Sequence, residues 1–159
     1  MRRRLMLMLL VMGFVTPVWA GLALSTDNRS LFFGLMQLGE TKELAQFGSY
    51  HNQLTCSSTN NRLWYLKVQL LQPLSAGDEA IPVENFQWQM SYTNGTGTVA
   101  NPFQYTPFRL TPALIYTSGA NEAAGASIKL QFKYSLKIPD AQISGAYQTT
   151  IRFTLTEVL

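Results

Sequence analysis

One cysteine and one histidine in 159 residues exclude more chemistry than any motif in the chain supports. With Cys56 alone, no disulfide can close within the chain and no Cys-x-x-Cys metal or redox site is possible. With His51 alone, a Ser-His-Asp triad, a Cys-His dyad or a multi-histidine metal centre would each have to run through one side chain. That side chain sits in Ser49-Tyr50-His51-Asn52-Gln53, a polar approach to a strand, where a surface or turn histidine is expected rather than a catalytic base. HExxH, GxSxG and P-loop patterns are all missing. Gly95 and Gly97 alternate with threonines in a turn, but phosphate-binding glycines need a helix to follow and no helical pattern does. The nine acidic residues are scattered over loops and termini rather than paired as in two-carboxylate hydrolases. The expectation is a non-enzymatic protein without metal or cofactor.

Long apolar runs are scarce too. The longest, Leu5 to Val15, is eleven residues, against the roughly 20 that a membrane-spanning helix needs. Arg2-Arg3-Arg4 stands before it and Val18-Trp19-Ala20 after it, which is the order of a secretory signal with small residues at −3 and −1 of the cleavage point. Residues 1–20 are therefore expected to be a signal peptide, and Gly21–Leu159 a single mature domain outside the cytoplasm, in the periplasm or at the cell surface. Gly21 and not a cysteine stands directly after the cleavage point, so a lipoprotein is not indicated. An excess of charge is the last thing lacking. The formal +3 comes from twelve Lys and Arg against nine Asp and Glu, and three of the twelve are the leading arginines. The nine basic residues that remain match nine acids, so nothing is left to displace counterions from nucleic-acid phosphates.

What the chain has instead is alternation. From Ile128 to Ile138, Ile128, Leu130, Phe132, Tyr134, Leu136 and Ile138 share one face, and Lys129, Gln131, Lys133, Ser135 and Lys137 the other. Period two over this length predicts a strand with one face on a core and one in water. Leu66, Val68 and Leu70 after Trp64, and Phe86, Trp88 and Met90, repeat the pattern; so does the run Tyr147, Thr149, Ile151, Phe153, Leu155. Leu31–Leu38 reads as a weaker strand at the start of the domain. Turn-forming clusters divide the strands: Ser75–Asp78, Asn94–Gly97, Asn121–Gly125 and Pro139–Gly145. Glu40–Phe47 fits either one or two helical turns or a short edge strand. Asn101–Pro112, with three prolines, fits a long loop or a broken edge. The fold class is all-β, an antiparallel β-sandwich of about seven to eight strands. Leu54 and Cys56 fall on one face, so Cys56 is expected to be a small buried hydrophobe.

Two surface features are candidates for recognition. Lys129, Lys133 and Lys137 recur every fourth residue, a positive row with a step of about 13 Å that could meet an anionic envelope polysaccharide. The same lysines could simply solubilise the sheet face. Phe103, Tyr105 and Phe108 lie between and beside Pro102 and Pro107, where aromatics either stack on a sugar or partner chain or plug one end of the sandwich.

The stretch Leu136 to Leu155 is similar to the closing segment of spore-coat-U-like and related pilin-like secreted bacterial domains, with strand, Pro139, loop, Gly145-Ala146-Tyr147 and a final strand. Phe33-Gly34 resembles the Phe-Gly that opens such domains. This resemblance implies an Ig-like sandwich acting as a fimbrial or envelope structural subunit, with protein neighbours at the cell surface and self-association. The chain departs from the pilin pattern in lacking the disulfide and in its N-terminal stretch, where only Leu22 and Leu24 alternate before Ser25–Ser30 turns polar. A weaker resemblance is to WxL cell-wall-binding domains, carried by Trp64-Tyr65-Leu66 and Phe153-Thr154-Leu155, which implies a wall- or glycan-binding module.

Overall fold

The structure, a computed structural model, describes residues 21–45 and 49–159. The expected signal peptide lies outside the described residues. The alternating segments form antiparallel strands in two sheets. The first has the order β1 (Leu22–Thr26), β3 (Asn52–Ser58), β11 (Ile128–Lys137), β7 (Phe86–Thr93) and β9 (Thr106–Pro107). The second has the order β12 (Ile151–Thr156), β4 (Tyr65–Leu70), β10 (Ala113–Thr117) and β8 (Thr98–Val99). A small hairpin of β5 (Leu74–Ala76) and β6 (Glu79–Ile81) stands beside them.

β11 is the axis of the first sheet because it is paired on both sides over most of its length. Along one side it meets β7, from Leu130 opposite Thr93 to Leu136 opposite Phe86. Along the other it is paired twice: Ile128–Phe132 with β3, and Tyr134–Lys137 with β2 (Thr41–Leu44). β2 and β3 thus lie end to end against one long strand. The strand alternative for Glu40–Phe47 holds over Thr41–Leu44. Phe47 lies outside the described residues.

The inward set of β11, Ile128, Leu130, Phe132, Tyr134 and Leu136, is buried as its alternation required. It meets Leu66, Val68 and Leu70 of β4, together with Trp64, Trp88 and Ile115. Burying a large apolar side chain contributes about 1.5–3 kcal/mol, so this contact between the sheets is the main source of stability. Trp64 is fully buried beside Tyr116, with ring centroids 5.7 Å apart. Cys56 is fully buried as well, and burial pushes its thiol up to about 12. Ellman's reagent is therefore expected to leave the native protein unmodified and to titrate one thiol per chain in guanidinium. Prompt reaction of the native protein would show that Cys56 is reachable.

Four local expectations need correction. Leu31–Leu38 is not a strand: Gly34 has φ +74° and Gly39 φ +75°, left-handed conformations that take the chain out of extended geometry. The final strand begins at Ile151 rather than Tyr147, although the alternation of burial runs back through Tyr147 and Thr149. Asn121–Gly125 is more than a turn, since Ala120–Ala123 make one helical turn, α1, before Gly125 at φ +117°. Among the described residues strands number twelve rather than seven or eight, because Thr98–Val99 and Thr106–Pro107 form two-residue edge strands and the β5–β6 hairpin adds two more. Asn101–Pro112 is the broken edge its prolines suggested, with β9 as its one strand among the described residues.

Register breaks also move side chains that alternation alone would misplace. Phe132 faces Met90 while Gln131 faces Tyr92, so Ser91 is an extra residue in β7 and Tyr92 joins the polar outer face. A similar break between Leu114 and Tyr116 buries both Ile115 and Tyr116.

Candidate functional site

The two sheets are closed over most of their length and open along one flank. β1 ends the first sheet and β12 ends the second, and no strand among the described residues joins these edges. Between them lies a groove of about 1280 Å³ that reaches down to the core. Its floor is Leu54, Tyr134 and Leu136 from the first sheet and Ile151 and Phe153 from the second, with Leu74 and Ile81 of the hairpin at one end. One rim is the irregular segment after β1, residues 28–38, and the other is residues 142–150, the approach to β12. Phe32, Leu35, Leu38 and Ile143 stand out from these rims, Phe32 84 % and Leu35 99 % exposed. An apolar cluster of this kind around a cleft marks an interaction surface, since exposure of such groups to water is unfavourable.

Among the described residues neither rim belongs to a strand of either sheet, and the second meets the hairpin at a single bridge. From 29 to 36 no backbone-to-backbone hydrogen bond is made among the described residues. The first rim is held by side chains instead. His51 Nε2 lies 2.8 Å from the Ser30 carbonyl and 3.2 Å from the Asn28 amide nitrogen, Lys42 Nζ donates to the Phe33 carbonyl at 2.5 Å, and Glu40 Oε2 accepts from Gln37 N–H at 2.7 Å. The second rim is tied to the β5–β6 hairpin through reciprocal bonds between Ser75 and Gln148, 3.1 and 3.0 Å, and through Tyr147 Oη, which donates to the Ile143 carbonyl at 2.7 Å.

His51 is thus not a surface residue. It is buried, edge-on to Tyr134 with ring centroids 5.9 Å apart, and its Nδ1 has no partner among the described residues. Its work is to clamp the groove rim. The surface expectation failed because the polar residues around His51 indicated hydration, whereas the segment folds inward against Tyr134.

The recognition candidates are only partly brought together. Lys129 and Lys137 are exposed near the two ends of β11, but Lys133 between them is half-buried, paired with Glu43 at 3.2 Å and 5.4 Å from the centre of the Tyr105 ring. The positive row is thereby interrupted at its centre. Phe103, 67 % exposed and left-handed at φ +57°, sits near this cluster, its carbonyl accepting from the Gln89 amide. Tyr105 is half-buried beside Lys133. Phe108 is no surface residue: it is buried, 4.6 Å from Phe86 and stacked on Tyr134 at 6.2 Å. The alternative of a core plug describes Phe108, and exposed aromatic describes Phe103.

A second buried polar site lies at the far end of the sandwich. Glu122, the third residue of α1, is buried, and its Oε1 accepts from Thr96 N–H at 2.5 Å, Thr96 Oγ1 at 3.1 Å and Tyr116 Oη at 3.3 Å. Tyr116 Oη in turn accepts from Gly97 N–H at 2.7 Å. Burial pushes the Tyr116 hydroxyl up to about 12, so it stays a donor. A Cβ on Gly97 would lie 2.1 Å from the Thr117 carbonyl, which is why this turn requires glycine. Of the two threonine-flanked glycines read in the sequence, Gly97 thus admits the Thr117 backbone, and Gly95 admits the Tyr116 hydroxyl, from which a Cβ would lie 2.1 Å. Glu122 gave no signal in the sequence, since one acid in a turn has no distinguishing pattern.

No helix among the described residues is long and apolar enough to cross a membrane. No protein-family profile, curated protein or solved structure matches the chain.

Proposed function

We propose that the chain is a secreted, non-enzymatic structural subunit of the bacterial cell surface, an Ig-like, pilin-like sandwich that associates with protein neighbours through its open flank. The observation that carries this reading is the apolar groove between the unpaired edges β1 and β12. Its volume of about 1280 Å³ exceeds the roughly 300–1,000 Å³ typical of small-molecule pockets and suits a polypeptide segment. Two strand edges with free backbone groups beside alternating apolar side chains are what strand addition uses: main-chain hydrogen bonds for affinity, pockets for every second side chain.

The occupant is a second copy of this chain. From Gly21 onward the charges balance, so copies do not repel one another at long range. The rim residues Phe32, Leu35, Leu38 and Ile143 give each copy the same apolar patch to offer the next. The resemblance of Leu136–Leu155 to pilin-like closing segments supports the same reading.

Light scattering of the chain from Gly21 is expected to show mass rising with concentration. Ile151→Lys, on the groove wall of the edge strand β12, is expected to hold the protein as a monomer, while Lys129→Glu on the outer face leaves association intact. A wild-type monomer at every concentration, or association indifferent to Ile151→Lys, would overturn the reading. The exposed Phe103 beside Tyr105 and Lys133 favours a second reading, a wall- or glycan-binding module. Retention on envelope polysaccharide that is lost in Phe103→Ala would decide for it.

A further inference from the structure

We propose that residues 28–38 form a displaceable strap, which covers one side of the groove in the free chain and gives way when the neighbour enters. This inference rests on the reading of the groove as the site of association and concerns how that site is controlled. The first observation is how the strap is held. Its neighbours β1 and β3 are joined by a full ladder from Leu22 opposite Ser58 to Thr26 opposite Leu54. From 29 to 36 the strap makes no backbone ladder, and the bonds from His51, Lys42 and Glu40 are its tethers. Apart from one backbone bond, Glu40 N–H to the Gln37 carbonyl at the strap's end, these are side-chain bonds that water can replace, and none belongs to a sheet, so the strap can leave without breaking either sheet.

The second observation is that the strap uses only half of its apolar surface. Leu31, Phe33 and Met36 pack against the core, Phe33 edge-on to Phe86 at 5.8 Å. Phe32, Leu35 and Leu38 point to solvent. A fixed wall of the core would not leave three large apolar side chains in water.

The third observation is a pivot. Gly34, at φ +74°, is what puts Phe33 inward and Leu35 outward. With Gly34 extended, Leu31, Phe33 and Leu35 would fall on one face, the period-two pattern of a strand. The segment therefore has two arrangements that differ at one glycine, and only glycine adopts both without strain. A Cβ at Gly34 would meet Lys42 Nζ at 3.6 Å and Phe32 Cε1 at 4.0 Å, ordinary contacts. Gly34→Ala thus biases the strap out of its observed arrangement through backbone conformation, without a clash.

Hydrogen exchange by mass spectrometry and binding of anilinonaphthalene sulfonate, an apolar dye, test the proposal on the chain from Gly21. In the wild type, amides 29–36 are expected to exchange far ahead of those in β1 and β3. Gly34→Ala is expected to speed their exchange and raise dye binding roughly tenfold, the scale of the left-handed penalty on a residue with a Cβ. Lys42→Met, which removes the tether to Phe33, is expected to act in the same direction. Both should leave β11 as protected as before. The strap is overturned if its amides are as protected as those of β3, if neither variant changes exchange or dye binding, or if exchange rises throughout both sheets. A wild-type chain that stays monomeric while Gly34→Ala still frees the strap keeps this inference and overturns the assembly reading. Association of a chain whose strap is as protected as β3 does the reverse.

Discussion

Trp64→Ala is expected to lower the unfolding free energy by about 3–5 kcal/mol, the range for removing a large buried aromatic side chain. Trp64 is wholly buried, its ring lies beside Tyr116, and its indole N–H reaches the Glu122 carbonyl at 3.4 Å. Its backbone also ties the start of β4 to the end of β10: Trp64 N–H donates to Ser118 Oγ at 2.9 Å and the Trp64 carbonyl accepts from Ser118 N–H at 2.9 Å. The alanine variant keeps these backbone bonds and opens a cavity where the ring was. Trp88 is nearly as buried, but its indole N–H has no partner among the described residues. Trp88→Phe therefore removes an unpaired donor together with some contact area, and is expected to cost less than Trp64→Phe. Urea titration followed by circular dichroism, comparing midpoints at constant slope, measures both. Equal costs for the two phenylalanine variants would mean that the Trp64 indole bond contributes nothing.

Glu122→Ala is expected to cost about 3 kcal/mol, because the Thr96 N–H and the Tyr116 hydroxyl would lose their acceptor inside the protein. The carboxylate also makes stability depend on pH in a definite direction. Burial alone would raise its pKa, but hydrogen bonds from the Thr96 N–H and hydroxyl and from the backbone at the start of α1 outweigh burial and hold it below the ordinary 4.5. A carboxyl whose pKa is depressed by folding contributes stability that is present in full above about 4.5 and is lost as the pH falls through the folded value. Urea midpoints measured from pH 7 down to pH 3 are expected to fall below about pH 4.5 in the wild type. In Glu122→Gln the fall should be shallower, starting from a lower midpoint at pH 7. Parallel pH profiles would show that another carboxylate carries the acid sensitivity.

The strands of the core were legible because their signal is local. Ile128–Ile138 alternates strictly, and a strand buried on one face has to alternate. The same rule located β4 and β7 and put Cys56 inside. Where the local signal was apolar but not periodic, it misled: Leu31–Leu38 carries six large apolar residues, yet Gly34 breaks the pattern, and the segment became a strap instead of a strand. His51 and Glu122 were illegible for a different reason. Each is a polar residue in a polar stretch, and its burial depends on partners from other elements: Tyr134 against His51, and Thr96 and Tyr116 around Glu122.

The groove is the extreme case. Its floor is drawn from β3, β7, β11, β12 and the β5–β6 hairpin, and each of these segments by itself reads as ordinary core. That the flank between β1 and β12 stays open is a property of strand order, which no single segment encodes. Period-two alternation in the sequence by itself determined the all-β class, the inward faces of the long strands and the buried thiol, because pleating ties side-chain direction to position along one strand. The open flank, the strap across it, the clamp made by His51 and the division of Lys129, Lys133 and Lys137 into free and paired cations were decided only in the tertiary structure. They depend on which strands become neighbours and where a bulge shifts the register, and those choices are made by the packing of the whole core.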